Sequence, residues 1–415
     1  MKFLLESNPA FLILPIDSGE YIFYNSLQHR ASRLSELEMI VLDHYYKYQN
    51  KEFILSKIHE NHREAVSEAL LRIDKHKLLV CEELASEDYL LPEFPSSYYL
   101  HLTYRCNLSC SYCYNKNVRA SVQKILSFEE WKVIIDKIAP YANNITLTGG
   151  EFFLYPYLLE LLQYMKAAYP HIILSGISNG IHDFKKEGLR DVFELLSSIS
   201  FSCDSIREEG GRKGFNPEIY KENILWLKNN YPNIKINIAT TLTSKNAEEV
   251  EGIESFCNST GCGLAKAILI PGEVTEIDLM PVFNEELYNN DFAQTTIPHL
   301  KPAAFCCGAG KSVCSIDPIG NVYPCQSLHF DEFRIGNLLN DSMADMPYIG
   351  KKGHILKSVN DYPSCSKCKV KYICGGGCHA TGYRLYDKQL RPNHLTCYYN
   401  YINSIRQLRS LNNRL

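Results

Sequence analysis

Sixteen cysteines, many of them two, three or five residues apart, restrict this 415-residue chain more than any other feature. Cysteines at such short spacings either close disulfides or hold metal. The N-terminus, Met1-Lys2-Phe3-Leu4-Leu5-Glu6, has an early acid and no small-residue cleavage site after a long apolar core, so it does not read as a signal peptide. A cytoplasmic, reducing location is therefore expected, and there metal ligation prevails over disulfides. A net charge of −4 predicts no general affinity for nucleic acid or anionic membrane. No apolar run approaches the ~20 residues that span a bilayer.

Three regions are expected. Residues 1–88 read as a small unit. Short apolar runs at Phe11–Leu14 and Tyr21–Tyr24 flank Asp17-Ser18-Gly19, a hairpin signal. Ser35 and Glu38 form a capping box that opens a helix to about Tyr48. Helical stretches follow at 51–61 and 63–75, then a strand over Leu78–Cys81. Hairpin, three helices and a strand describe a winged-helix-like module. A linker follows, and over residues 96–280 strand and helix patterns alternate. The strands fall at 98–103, 144–148, 172–177, 199–203, 234–241 and 264–270. Six such units predict an α/β fold with a parallel sheet, open or curled into a partial (β/α)6 barrel, and ligands at the C-terminal strand ends. Residues 300–400 carry short elements and, from Cys306, nine cysteines, so metal is expected to stabilise a thin core. Residues 401–415 read as a tail.

Directly after the first barrel strand stands Cys106-Asn-Leu-Ser-Cys110-Ser-Tyr-Cys113. Three thiolates can hold three irons of a four-iron cluster and leave the fourth iron open to a substrate. A zinc site, which usually pairs C-x2-C units with a fourth ligand, is the alternative. The loop resembles the signature of the radical S-adenosylmethionine (SAM) superfamily, with Tyr112 as the usual aromatic. The resemblance implies that SAM chelates the open iron and is cleaved by one electron to methionine and a 5′-deoxyadenosyl radical, which abstracts hydrogen from the substrate. Thr148-Gly149-Gly150-Glu151 is similar to the family's GGE segment, which contacts the SAM amino group. Ser178 and Asn179 resemble its ribose-contacting position, and Ser202 and Asp204 are weaker candidates for SAM or substrate contact. Phe152 stands where the family often has Pro.

The remaining cysteines follow the spacing C-x12-G-x4-C, a gap, C-x2-C-x5-C-x3-C, a gap and C, from Cys307 to Cys397. This resembles the SPASM extension found behind many radical SAM domains; paired zinc sites are the alternative. The resemblance implies one auxiliary iron–sulfur cluster on Cys307, Cys325 and Cys378, and another on Cys365, Cys368, Cys374 and Cys397. Cys314 or Cys306 could complete the first, or its iron could be open. Cys81, Cys203, Cys257 and Cys262 read as ordinary buried thiols. An auxiliary cluster can accept the electron released when a substrate radical closes a bond.

SPASM enzymes commonly act on peptides. Sulfatase maturases carry Asp after the cysteine of the G-x4-C segment; here Gln326 stands there, which argues against that activity. The N-terminal layout resembles the recognition element that binds the leader of ribosomally made precursor peptides, where an exposed strand edge can take up an extended leader. Through residue 88 this region has ten Lys/Arg against fifteen Asp/Glu, a poor balance for binding DNA. The expected function is cross-linking of a precursor peptide through a thioether, carbon–carbon or carbon–oxygen bond, with electrons from an external donor such as flavodoxin or ferredoxin. Formylglycine formation or epimerisation on the same framework, or a non-catalytic electron carrier or DNA-binding sensor, are the other readings.

Overall fold

The structure is a computed structural model; it describes all residues except 1, 17–18, 29, 83–92, 117–123, 187, 270, 282–307, 348, 350–357, 387–388, 393 and 411–415. Its N-terminal sheet comprises β1 (Phe11–Ile16), β2 (Glu20–Asn25) and β3 (Arg30–Ser35), antiparallel in that order. Helices α1 (Glu36–Tyr48), α2 (Lys51–Ser56) and α3 (Glu60–His76) follow. Ser35 caps α1 as its spacing predicts: the Glu38 N–H donates to Ser35 Oγ at 3.3 Å and the Ser35 N–H to Glu38 Oε2 at 2.8 Å. Phe11, Phe23 and Leu34 of the sheet pack with Met39, Leu42, Leu70 and Ile73 of the helices in one core.

The third strand is not the expected Leu78–Cys81, which lies outside any strand, but β3. Arg30-Ala-Ser-Arg-Leu-Ser reads as polar coil because only alternate residues are buried. The carbonyls of Leu78 and Val80 are satisfied instead by the Asn25 side-chain amide, at 2.9 and 2.8 Å.

The central sheet contains β4 (Ser97–Thr103), β6 (Asn144–Gly149), β7 (Ile173–Ser178), β8 (Ser198–Ser202), β10 (Lys235–Leu242) and β11 (Gly263–Ile268), all parallel. They lie side by side in chain order with no reversal, the winding of a barrel rather than of a doubly wound sheet. Between them run α4 (Phe128–Ile138), α5 (Leu158–Ala168), α6 (Leu189–Leu195), α7 (Pro217–Asn230) and α8 (Val250–Thr260). The stripe on α4, Trp131, Ile134, Ile135 and Ile138, is wholly buried. A two-stranded ribbon pairs β5 (Ser109–Cys110) with β9 (Arg212–Lys213).

The cysteine-rich region is not a separate thin core. Its strand β12 (Val313–Ile316) joins β4 in parallel, and β13 (Asn321–Tyr323) and β14 (Gly336–Asn337) extend the same sheet. Ile316, Val322, Leu338 and Met346 belong to the same apolar core as the barrel strands. β12 thereby covers what would be an open edge of β4. Beyond it lie α9 (Pro363–Ser366), α10 (Lys371–Cys374), α11 (His379–Leu385) and α12 (Cys397–Arg409). No helix among the described residues is long and apolar enough to cross a membrane.

Candidate functional site

All six parallel strands end at one cavity of about 320 Å3. Its wall includes Cys106, Cys110 and Cys113 from the loop after β4, Gly149 and Gly150 from the end of β6, Ser178 and Asn179 after β7, Ser202 of β8, Thr241 of β10 and Ile268 of β11. Tyr112 also lines it. Residues taken from distant parts of the sequence are thus brought together at the C-terminal strand ends.

The cysteine loop is held on two sides. On one, Ser109 and Cys110 pair with Lys213 and Arg212, and the Ser111 N–H donates to the Gly211 carbonyl at 3.1 Å. On the other, Asn115 Nδ2 donates to the Gly149 carbonyl at 2.8 Å. The two glycines serve backbone packing as well as cavity shape. A Cβ on Gly150 would stand 2.2 Å from the Arg105 carbonyl oxygen, and one on Gly149 would stand 2.2 Å from that of Thr103. Gly149 also has φ +125°, a conformation that L side chains rarely adopt. Through this contact the Gly150 N–H reaches the Thr103 carbonyl at 2.7 Å and the Glu151 N–H that of Arg105 at 2.8 Å.

Glu151 does not line the cavity. Its side chain is fully buried, accepts the Asn179 N–H at 2.8 Å and faces His182 Nε2 at 3.7 Å. Asn179 in turn donates through Nδ2 to Asn107 at 2.7 Å and lies 3.7 Å from Cys106 Sγ. Ser178 Oγ accepts the Gly180 N–H at 3.0 Å.

Sequence reasoning missed Arg212. Its Nε donates to Asp204 Oδ2 at 2.6 Å, and Nη1 stands 3.9 Å from Cys110 Sγ. Tyr112 OH donates to the same Asp204 carboxylate, whose other oxygen accepts the Thr241 N–H at 2.6 Å. Burial pushes the Cys110 thiol up, Arg212 draws it down, and Cys113 and Cys106 push it up again. The only sequence sign of Arg212 was the Gly210-Gly211 pair before it; the Tyr112 ring packs where a Gly211 Cβ would stand.

A larger chamber of about 610 Å3 adjoins this cavity and shares Cys113, Tyr114, Asn115 and Arg384 with it. Gln326, Tyr104, Tyr323 and His329 also line it, with Glu276 and Glu332. Tyr104 OH and His329 Nδ1 are 2.6 Å apart, and His329 Nε2 is 2.8 Å from Ser315 Oγ. Burial drives His329 well below the usual imidazole range, so its ring is neutral. Arg384, on α11, was also missed. Burial lowers its pKa, while Cys378, Cys325 and Glu276 raise it, and Arg384 lines both cavities.

The other cysteines separate by neighbourhood. Cys325 and Cys378 both lie within electrostatic range of Arg384. Burial pushes the Cys374 thiol up to about 11; a hydrogen bond from the Gly376 backbone draws it down, and Cys368, Cys365 and Cys397, all within electrostatic range, push it up again. Cys307, with Cys306, lies outside the described residues. Cys314 is fully buried in the core, on β12 with Ile316, and burial, then Cys325, push its thiol far up. Cys203 and Cys257 are buried, Cys262 is half-buried, and Cys81 is exposed rather than buried.

All-sulfur donor sets suit iron–sulfur clusters or zinc. Among the described residues no three Cys, His, Asp or Glu side chains close on one point as they would around a single ion. Cluster thiolates each hold a different iron and stand further apart. All three cysteines of the Cys106 loop line one cavity, with the Leu108 N–H 3.4 Å from Cys106 Sγ.

Comparison with known proteins agrees with this geometry. The radical SAM superfamily's sequence profile matches residues 100–257, and that of the SPASM iron–sulfur cluster-binding domain matches residues 306–369. The sporulation killing factor maturation protein SkfB of Bacillus subtilis is 29% identical over 301 residues, covering 66% of this chain and 69% of that protein. The mycofactocin maturase MftC of Mycobacterium tuberculosis is 25% identical over 307 residues, covering 67% and 77%. In fold, the chain resembles Streptococcus suis SuiB bound to its precursor peptide SuiA, with a TM-score of 0.57 and 14% identity over 94% of this chain and 98% of that one. The chain belongs to the radical SAM superfamily and carries a SPASM iron–sulfur domain behind its barrel.

Proposed function

We propose that this chain matures a ribosomally made precursor peptide by installing a cross-link. The observation that carries the reading is the shared wall of the two cavities: a SAM-sized pocket on the Cys106–Cys113 loop opens beside a chamber lined from the cysteine-rich region. Both volumes fall within the ~300–1,000 Å3 usual for ligand sites. The names of SkfB and MftC, both maturation proteins, and of SuiB with its precursor peptide support a peptide substrate.

Cys106, Cys110 and Cys113 would hold the SAM cluster; Cys325, Cys378 and Cys307 the first auxiliary cluster; and Cys365, Cys368, Cys374 and Cys397 the second. When bound, the clusters and SAM supply a 5′-deoxyadenosyl radical and an electron acceptor. Gly149, Gly150, Ser178, Asn179 and Ser202 would form the wall against SAM. Glu151 would hold Asn179 from behind, and Tyr112 with Asp204 and Arg212 would brace the cysteine loop. The peptide would lose one hydrogen as an atom to the radical and one as a proton, for which Glu276 and Glu332 of the chamber wall are the available bases, while the remaining electron leaves through an acceptor. The N-terminal module would bind the leader, with β3 as an edge strand for added pairing. An external flavodoxin or ferredoxin would supply electrons, and neither nucleic acid nor membrane takes part. Exposed and half-buried thiolate ligands suit a cytoplasmic, reducing setting.

The test is anaerobic incubation of the reconstituted protein with SAM, reductant and a precursor peptide. The expected product is lighter by two hydrogen atoms, with fragment ions that locate the bond. A modified peptide of unchanged mass would exclude cross-linking.

A further inference from the structure

Both faces of strand β2 are covered. Ile22, Phe23, Tyr24 and Asn25 are all inaccessible to solvent, whereas a strand of a free-standing three-stranded module would bury one face and wet the other. Phe23 belongs to the module's own core under α1 and α3. The opposite face is formed by two cross-strand pairs, Leu12 with Tyr24 and Leu14 with Ile22. These four side chains form a separate buried cluster with Val370 and Leu408, and with the half-buried Cys368, Ile373 and Ile405 packed against it.

The elements contacted are the two that carry the second cysteine set. Val370 and Ile373 stand between Cys368 and Cys374, and Leu408 and Ile405 lie on α12, which opens at Cys397. The segment 365–374 has only a small core of its own, in which Tyr372 and Cys365 pack with Val359, and α9 and α10 are four residues each. On its other side, at Cys368, Val370 and Ile373, the apolar support comes from the other end of the chain.

We propose that the N-terminal module is the outer wall of the second auxiliary cluster site. Its sheet clamps the Cys365–Cys374 segment against α12, so that the four cysteines keep their mutual positions and the Cys368 side of the cluster is screened from solvent. Solvent access and surrounding packing govern the lifetime and potential of such clusters. The strand pair that adjoins the leader-binding edge is therefore also the support of a redox site. This inference rests on the reading of Cys365, Cys368, Cys374 and Cys397 as cluster ligands.

The test uses the full-length protein with Cys106, Cys110 and Cys113 all changed to Ala, so that only auxiliary iron is counted. Ile22→Ala probes the contact from the module, and Leu408→Ala from α12. Leu70→Ala, inside the module's own core, is the control. After anaerobic reconstitution, Ile22→Ala and Leu408→Ala are expected to lose about half the auxiliary iron, or to bleach in air at least about fivefold faster than the parent, while folded Leu70→Ala matches the parent. If Ile22→Ala does not fold, Leu408→Ala carries the test from the other side. Parent-level iron and bleaching in Leu408→Ala would overturn the proposal, as would an equal loss in folded Leu70→Ala. A parent without auxiliary iron would refute the cluster reading itself, and the clamp with it.

Discussion

Changing Gly150 to Ala tests whether the glycine pair after β6 builds the cysteine loop. The added Cβ would meet the Arg105 carbonyl oxygen at 2.2 Å, the Tyr104 carbonyl oxygen at 2.5 Å and the Arg105 carbonyl carbon at 2.7 Å. All three are backbone atoms of the segment that leads into Cys106, so no side chain can swing aside. Relief requires β4 and β6 to part at their ends. That weakens the Gly150–Thr103 and Glu151–Arg105 hydrogen bonds, worth about 2 kcal/mol together. Overpacking adds about 1–3 kcal/mol. The sum, about 3–5 kcal/mol, corresponds to a fall of about 3–6 °C in apparent Tm for a chain of 415 residues. Gly188→Ala is the comparison: Gly188 has φ +87° but nothing within 4 Å of an added Cβ, so only the backbone cost of about 1–2 kcal/mol applies. Thermal unfolding of both anaerobic, reconstituted variants, together with SAM titration, separates the two. Gly150→Ala should unfold well below Gly188→Ala and bind SAM at least tenfold more weakly. Equal Tm values and unimpaired SAM binding would refute the argument.

Three further outcomes are expected. Arg212→Gln should cost about 3–5 kcal/mol, because it leaves the fully buried Asp204 carboxylate uncompensated; Asp204→Asn on that background should restore most of the thermal stability. His101 is fully buried and its pKa is held down to about 3 by burial, so the unfolded chain binds the extra proton below the ordinary value of 6.5. Its contribution leaves stability intact above pH 6.5 and erodes it as pH falls toward 3, with a slope of up to about 1.4 kcal/mol per pH unit, and His101→Phe should flatten the acid limb of cluster-free protein by that amount. A leader-only peptide should compete with full precursor for modification without changing SAM cleavage measured in the absence of peptide.

The α/β core was legible because its signals are local. Capping boxes at Ser35 and Ser127, the apolar stripe of α4 and the alternation of strand and helix each follow from a few neighbouring residues. The Cys106–Cys113 loop was legible for the same reason. What was not legible depends on partners far along the chain. β3 is polar at four of its six positions and is a strand only because β2 is beside it. Arg212 and Arg384 acquire meaning from Cys110 and Cys325, neither of which is near its partner in sequence. The run Tyr21-Ile22-Phe23-Tyr24 did carry a hint: continuous apolar residues mark a strand buried on both faces, and the second face proved to be the cysteine-rich region.

The account turns on the open iron implied by three cysteines at the mouth of the barrel. Reduction of the reconstituted protein with SAM present, with 5′-deoxyadenosine quantified against time, tests it most directly. The wild-type chain should form deoxyadenosine and methionine in equal amounts. The variant with Cys106, Cys110 and Cys113 all changed to Ala should form none while keeping its auxiliary iron. Cleavage that persists in that variant, or none in fully loaded wild-type protein, would contradict the account.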